Sequence, residues 1–298
     1  MGAHNETGES MRHLLTDHPR HWRGFQYVYP VLSRRSEGLS IGVNLSIDKR
    51  CNFDCVYCQV DRAAPLPRKD VDLTQVRAEL DWMLGWAASG ELWSDPQFTD
   101  VPEAVRRLND IAFSGDGEPT ACARFDEAAA LAAQLKNQHG LSSVKIAVLT
   151  NATLLHKPKV RAALDVLAAN QGEVWAKLDA GTEQYHRLVD RSAVTLRRVL
   201  DNILIAGRTH ELVIQSLFTK LHGEMIPATQ FEEYLDRLEE LVVAGCRIRL
   251  VQLYTTARQP AEEFASPLSD AELAHLEARL RERLPQTPCQ TYGAVNAD

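Results

Sequence analysis

The sequence predicts an α/β fold in which parallel strands are joined through helices. Two observations carry this. Apolar runs of strand length alternate with apolar-periodic helices six times, and polar segments containing Gly and Asn recur just after the strands. Repeated strand-then-helix units favour parallel pairing with right-handed crossovers. Polar segments after each strand then gather at one end of the sheet, where a barrel keeps its active site. An open doubly wound sheet gives the same alternation, so periodicity leaves both arrangements open.

The elements follow in order. Residues 39–45 form the first expected strand and lead straight into a cysteine-containing loop. Residues 73–89 are a helix carrying Trp82, Met83 and Trp86, and residues 91–109 an irregular insertion with a short helix. A short strand at 111–114 ends at Gly115-Asp116-Gly117-Glu118-Pro119. A helix at 125–138 is closed by His139-Gly140, and a strand at 144–150 and a helix at 158–169 follow. The remaining pairs are 173–178 with 194–206, and 212–219 with 230–244, the second closed by Gly245. A sixth strand covers 247–254. The last helix starts at Ser269, where Glu272 three residues on completes a capping box, and stops at Pro285. This divides the chain into a weakly ordered N-terminal extension (1–23), a strand–helix domain (24–258) and a C-terminal helix and tail (259–298). The extension carries His4, His13, His18 and His21, which read as part of a mobile polar terminus.

The 298 residues are 45% apolar and 24% charged, an ordinary globular composition. A net charge of −7 repels a polyanion, so a nucleic-acid partner would need a local basic patch. Arg34, Arg35, Lys49 and Arg50 could form one, although solubility or pairing with nearby acids is the simpler account of them. No apolar run reaches the roughly 20 residues that span a bilayer, and the polar N-terminus has no secretion signal. No membrane partner is expected. Six cysteines are unevenly placed: three fall within eight residues, while Cys122, Cys246 and Cys289 stand alone. A disulfide framework would be denser, so a metal site in a reducing, cytoplasmic setting fits better.

The three close cysteines, Cys51, Cys55 and Cys58, have the spacing C-x3-C-x2-C. Thiolates in one loop can reach three corners of an iron–sulfur cubane and leave the fourth iron open to a small molecule. A structural zinc site would want a fourth Cys or His nearby, and a redox pair at Cys55 and Cys58 would leave Cys51 unexplained.

This spacing, with Tyr57 before the last cysteine, resembles the signature of the radical S-adenosylmethionine (SAM) superfamily. Gly115-Asp116-Gly117-Glu118 after the next strand resembles that family's Gly-Gly-Glu segment, with Asp116 in place of the middle glycine. Thr150-Asn151 ends the strand after that. The resemblance covers about residues 39–254 and implies a partial (β/α)6 TIM-type barrel. It further implies one [4Fe–4S] cluster on Cys51, Cys55 and Cys58, with SAM chelating the open iron. One electron then cleaves SAM to methionine and a 5′-deoxyadenosyl radical that takes hydrogen from a substrate, so the cofactors carry the difficult chemistry.

The resemblance makes Gly115, Asp116, Gly117 and Glu118 the SAM-facing turn, whose carbonyls or Glu118 receive the methionine ammonium. Asn151, Lys177 and Asp179 become candidates for the SAM carboxylate or ribose. A local turn bond for Asn151, and a mutual ion pair for the other two, explain them as well. Gln215 and Gln252 are polar residues inside apolar strands and need partners, which SAM, substrate or backbone could supply. Tyr57 is expected to pack beside the cluster, and Tyr254 and Arg258 sit just past the sixth strand.

No residue is assigned a catalytic role from the sequence. An electron donor such as flavodoxin or ferredoxin is implied, and a substrate that is a small molecule, peptide or nucleotide. Within the superfamily, the run at 43–62, the Gly-Glu-Pro-Thr segment and the run at 251–258 look most like the wyosine-synthase-related group. Members that modify tRNA are implied to carry a second cluster on N-terminal cysteines, and no cysteine precedes Cys51 here. Two alternatives are kept beside this reading: a tRNA-modifying enzyme and a non-catalytic iron–sulfur electron carrier.

Overall fold

The structure, a computed structural model, describes residues 20, 22–62, 66, 67, 69–258, 260 and 262–294. The four histidines of the extension lie outside the described residues.

Strand β1 (Val28–Ser33) turns back antiparallel on β2 (Gly38–Val43), pairing Val28 with Val43 and Ser33 with Gly38. The strand expected first is therefore the second. β1 reads poorly as a strand because Pro30 interrupts it. Proline is tolerated at a sheet edge, where its missing N–H faces no ladder partner, and β1 is the edge. Its Tyr29 lies over Gly42, and a Cβ at 42 would run into the Tyr29 ring.

From β2 onward the chain alternates. Helix α1 (Leu73–Ser89) is capped by Asp72, which accepts from Thr74 N at 2.9 Å, and ends at Gly90 with φ 79°. It is followed by β3 (Leu108–Phe113), α2 (Phe125–Gln138), β4 (Lys145–Thr150), α3 (Pro158–Ala168) and β5 (Gly172–Lys177). A short helix α4 (Glu183–Val189), not expected from the sequence, precedes α5 (Leu196–Gly207). Then come β6 (Leu212–Leu217), β7 (Thr219–Leu221), α6 (Ala228–Val243), β8 (Ile248–Tyr254), β9 (Ala265–Pro267), α7 (Asp270–Arg283) and β10 (Cys289–Tyr292). The insertion at 91–109 holds two 3-10 turns, Glu91–Ser94 and Glu103–Val105.

The main sheet has the order β1-β2-β3-β4-β5-β6-β8-β10 and is parallel from β2 to β10. Strand order follows chain order with no reversal, so no topological switch point exists and the doubly wound alternative is excluded. The result is a curled, incompletely closed barrel, a partial (β/α)6 TIM-type arrangement with an added antiparallel edge strand and an added last strand. β7 and β9 form a separate antiparallel pair.

The two faces of the sheet divide the labour. Ile111, Phe113, Ile146, Val148, Val174, Ile214, Val251 and Leu253 point outward into the large core shared with the helices. Ala112, Ala147, Trp175 and Val213 form a separate cluster on the inner face. Successive strand residues alternate faces, so the same strands serve both. Buried Glu79 of α1 accepts the backbone N–H groups of Gln26, Tyr27 and Val28 at 2.8–3.0 Å and ties the helix to the edge strand.

Candidate active site

The cysteine loop leaves β2 through Asn44 and is pinned to the end of α4. Asp54 N donates to Asp190 O at 3.0 Å, Val56 N to Val189 O at 2.8 Å, and Ser192 Oγ to Asn52 O at 2.9 Å. Phe53 packs edge-on against His186, with ring centroids 5.4 Å apart.

This brings Cys51, Cys55 and Cys58 onto the wall of one cavity of about 310 Å³. Cys58 Sγ accepts from Arg62 Nη1 at 2.7 Å, and the Cys55 thiol donates to Asp190 Oδ1 at 3.4 Å. Cys51 Sγ accepts from Phe53 N at 3.5 Å. Burial pushes the Cys51 thiol up and the Cys55 thiol well up, the latter helped by the Asp190 charge. Thiols in this state are deprotonated by the metal they bind. Among the described residues, no three His, Cys, Asp or Glu side chains are placed to hold a single metal ion. The soft donor set and the shared cavity therefore fit an iron–sulfur cluster.

The 115–118 turn lies against the cysteine loop. A Cβ at Gly117 would meet the Arg50 carbonyl oxygen, so only glycine allows this approach. Asp116 turns its side chain away from the three-cysteine cavity. Its carboxylate accepts from Arg20 Nη1 and Asn44 Nδ2, each at 2.7 Å, while its carbonyl accepts from Arg62 Nη2 at 2.8 Å. Arg62 thus links the turn to Cys58.

Glu118 is buried, and its carboxylate is heavily engaged. Oε1 accepts from Thr120 N at 3.1 Å, Thr120 Oγ1 at 2.5 Å and Thr150 Oγ1 at 2.6 Å, and Oε2 accepts from Asn151 N at 2.7 Å. Burial still raises its pKa against these bonds. Asn151 lines the cavity, with its Nδ2 donating to Asn52 Oδ1 at 2.6 Å and its Oδ1 accepting from Thr153 Oγ1 at 2.8 Å.

Lys177 and Gln215 also face the cavity. They are in register on adjacent strands, and Gln252 continues the same rung. The Lys177 ammonium lies 5.4 Å from the Tyr57 ring centroid. Burial lowers its pKa, but the acidic groups around it, Tyr254, Cys55, Asp179 and Cys58, outweigh that and the net shift is upward. Gln215 Nε2 donates to Gln252 Oε1 at 2.8 Å, which leaves buried Gln215 Oε1 without a partner. Asp179 stands behind the wall. It accepts from the Tyr57 hydroxyl and from Leu217 N at 2.7 Å, and burial raises its pKa.

The structure therefore gathers Cys51, Cys55, Cys58, Gly115, Gly117, Glu118, Asn151, Lys177 and Gln215 on one cavity. Asp116, Asp179 and Gln252 stand behind or beside it. Tyr57, Tyr254 and Arg258 line it as well. Arg62 and Asp190 were not singled out from sequence. Arg62, four residues after Cys58, had a local signal. Asp190 had none, being 135 residues from the thiol it meets.

A family model of the Radical SAM superfamily matches residues 45–210, more than half of the chain. The chain belongs to the Radical SAM superfamily. Its relatives include a UPF0026 protein of Helicobacter pylori, 32% identical over 82% of this chain and 70% of its own length. A UPF0026 protein of Methanocaldococcus jannaschii is 27% identical over 80% of this chain. A protein named GTPase Obg from Brachyspira hyodysenteriae is 22% identical over 82% of this chain. The chain spans 65% of the Methanocaldococcus protein and 32% of the Brachyspira protein.

Among solved structures, Streptococcus suis SuiB bound to S-adenosylmethionine aligns with 87% of this chain and 52% of its own, at TM-score 0.58 and 14% identity. TYW1 with a lysine-pyruvate adduct bound aligns with 92% of this chain and 81% of its own, at TM-score 0.52 and 15% identity. At these identities the likeness is one of fold. As a radical SAM protein the chain is of an enzyme class that uses SAM and an iron–sulfur cluster. No described helix is long and apolar enough to cross a membrane.

Proposed function

We propose that this radical SAM protein holds one [4Fe–4S] cluster on Cys51, Cys55 and Cys58 and uses it to activate SAM in the barrel lumen. The observation that carries this is the opening of all three thiols onto the cavity that the 115–118 turn and Asn151 also line. When bound there and reduced, the cluster supplies the electron that splits SAM into methionine and a 5′-deoxyadenosyl radical, which takes hydrogen from the substrate. The chain's own residues hold the parts together. Arg62 brings positive charge to Cys58 and grips the Asp116 carbonyl, so turn and cluster loop keep one spacing. The 115–118 carbonyls, backed by Glu118, are the acceptors for the methionine ammonium. Asn151 presents its amide toward the same space. Lys177, kept cationic, faces the carboxylate or ribose of SAM, with Asp179 fixing Tyr57 beneath it. Gln215, oriented by Gln252, stands on the same rung. The substrate is a small molecule, peptide or nucleotide, and a cytoplasmic flavodoxin or ferredoxin is the electron donor.

Anaerobic reconstitution is expected to give about four irons and four sulfides per chain, and almost none after combined alanine substitution of Cys51, Cys55 and Cys58. The reduced protein is then expected to release 5′-deoxyadenosine from SAM slowly without substrate. Stoichiometric zinc in anaerobically purified protein would sink the assignment. A reduced, fully loaded protein that never cleaves SAM, even with cell extract added, would replace it with an electron carrier.

A further inference from the structure

The turn between β1 and β2 sends a second group into the lumen. Arg35 lines the same cavity as the cysteines. Its guanidinium carbon lies 5.0 Å from the ring centroid of Tyr254 and 5.6 Å from that of Trp175. It makes no hydrogen bond or ion pair with any described residue, unlike its neighbour Arg34, which donates to Gly293 O at 2.5 Å. The nearby acids are already engaged. Glu173 accepts from the Trp175 indole and pairs with Lys145 and Arg249, each at 2.8 Å. Asp110 accepts from the Ser40 hydroxyl.

Two aromatic faces thus hold a planar five-donor cation in place without using its N–H groups. That is a pre-ordered receptor for an oxyanion, because the guanidinium fork matches a carboxylate or phosphate edge with two parallel hydrogen bonds. The cation–π contacts engage the ring quadrupoles but not the donors. A second cation without a hydrogen bond to any described residue, Lys177, sits two residues from Trp175 on the same face of β5. Gln215, on the next strand of the same wall, has a buried Oε1 without a partner. A guanidinium whose donors are unused favours a ligand that brings negative charge.

We infer that the substrate of this lumen carries a terminal oxyanion, a carboxylate or a phosphate, gripped by Arg35 beside the Trp175 and Tyr254 rings. This rests on the radical SAM reading for the role of the lumen, but the binding itself does not require the cluster. Arg35 is then an anchor that determines which molecules enter.

The test is thermal unfolding of the full chain at constant ionic strength, titrated with propanoate, with inorganic phosphate and with neutral propanamide. A ligand that binds only the folded state raises the melting temperature with its concentration. One of the two anions is expected to stabilise the parent while propanamide and matched chloride do not, and which anion acts separates carboxylate from phosphate. Arg35→Gln is expected to weaken that response at least about tenfold, the loss of one charge-assisted pair. Arg35→Lys keeps charge without the fork and is expected to fall between them.

Iron content and SAM binding of both variants are measured alongside and are expected to match the parent. The proposal is overturned if neither anion stabilises the parent, or if Arg35→Gln responds as the parent does. It is also overturned if Arg35→Gln loses SAM binding while its anion response is intact, since Arg35 would then serve SAM. Failure of the parent to load iron removes the radical SAM reading and leaves the anion titration to be read by itself.

Discussion

Four hydrogen-bond donors converge on Glu118, from Thr120, Thr150 and Asn151. They join the segment after β3 to the end of β4 where the 115–118 turn ends. Removing the carboxylate leaves those donors buried and unpaired, and each such group costs about 1–3 kcal/mol. Glu118→Ala is expected to lower unfolding stability by roughly 3 kcal/mol or more in urea denaturation. A loss below about 0.5 kcal/mol, the range of ordinary surface changes, would show that the network does not matter. The grouping of the three cysteines was legible in sequence because spacing keeps the thiols in one loop, whereas the close approach of Gly117 to the Arg50 carbonyl was not. The engagement of Glu118 was not, because a carboxylate next to glycines reads the same whether it faces a ligand or two threonines. Asp190 was invisible for a related reason, since it reaches Cys55 only after the chain has passed through three strands and returned.

Elements with their own punctuation could be read, and short ones could not. The span 73–89 was expected and is α1, with Asp72 and Gly90 as its caps. Helix α4 has seven residues, and strand β10 has four, too few for periodicity to register. β1 was hidden by Pro30.

Helix α7 offers a test at this scale. Ser269 accepts from Glu272 N at 3.3 Å, and Glu272 accepts from Ser269 N at 2.8 Å, the reciprocal box expected from sequence. Ser269→Ala is expected to cost about 1 kcal/mol. The Ser269 backbone N–H, with Lys220 at 2.9 Å, holds the Glu272 carboxyl down at about 2. Its folded pKa is depressed below the unfolded value of about 4.3, so its contribution is present above that value and is lost as pH falls toward 2. Glu272 is partly exposed, so solvent screening keeps the contribution small. The stability gap between the parent and Glu272→Gln is therefore expected to narrow below about pH 5. A gap that stays constant from pH 7 to pH 4 would rule out the ionised box as its source.

At the scale of the molecule, the order of the strands fixes the curl but leaves the barrel open between β1 and β10. A sheet with two free edges exposes unpaired backbone groups along both. Here the seam is bridged by a side chain: Arg34, from the turn after β1, donates to the Gly293 carbonyl just past β10. Arg281 of α7 braces the same edge by donating to Cys289 O at 3.0 Å. The alternation of strands and helices revealed the parallel sheet, but nothing in it could reveal which residue spans the seam, because that contact joins positions 259 residues apart. If Arg34 holds the edges together, its loss frees them locally without unfolding the barrel. Arg34→Ala is expected to speed amide hydrogen exchange in β1 and β10 selectively. The expected drop in local opening free energy is about 1.5–3 kcal/mol, that of one hydrogen bond to a charged donor. Amides of β4 and β5, in the middle of the sheet, are expected to stay as protected as in the parent, and iron loading to be unchanged. Equal acceleration in all strands would mean that Arg34 supports global stability alone. No acceleration in β1 and β10 would mean that the edges are held by their own packing and the seam is open.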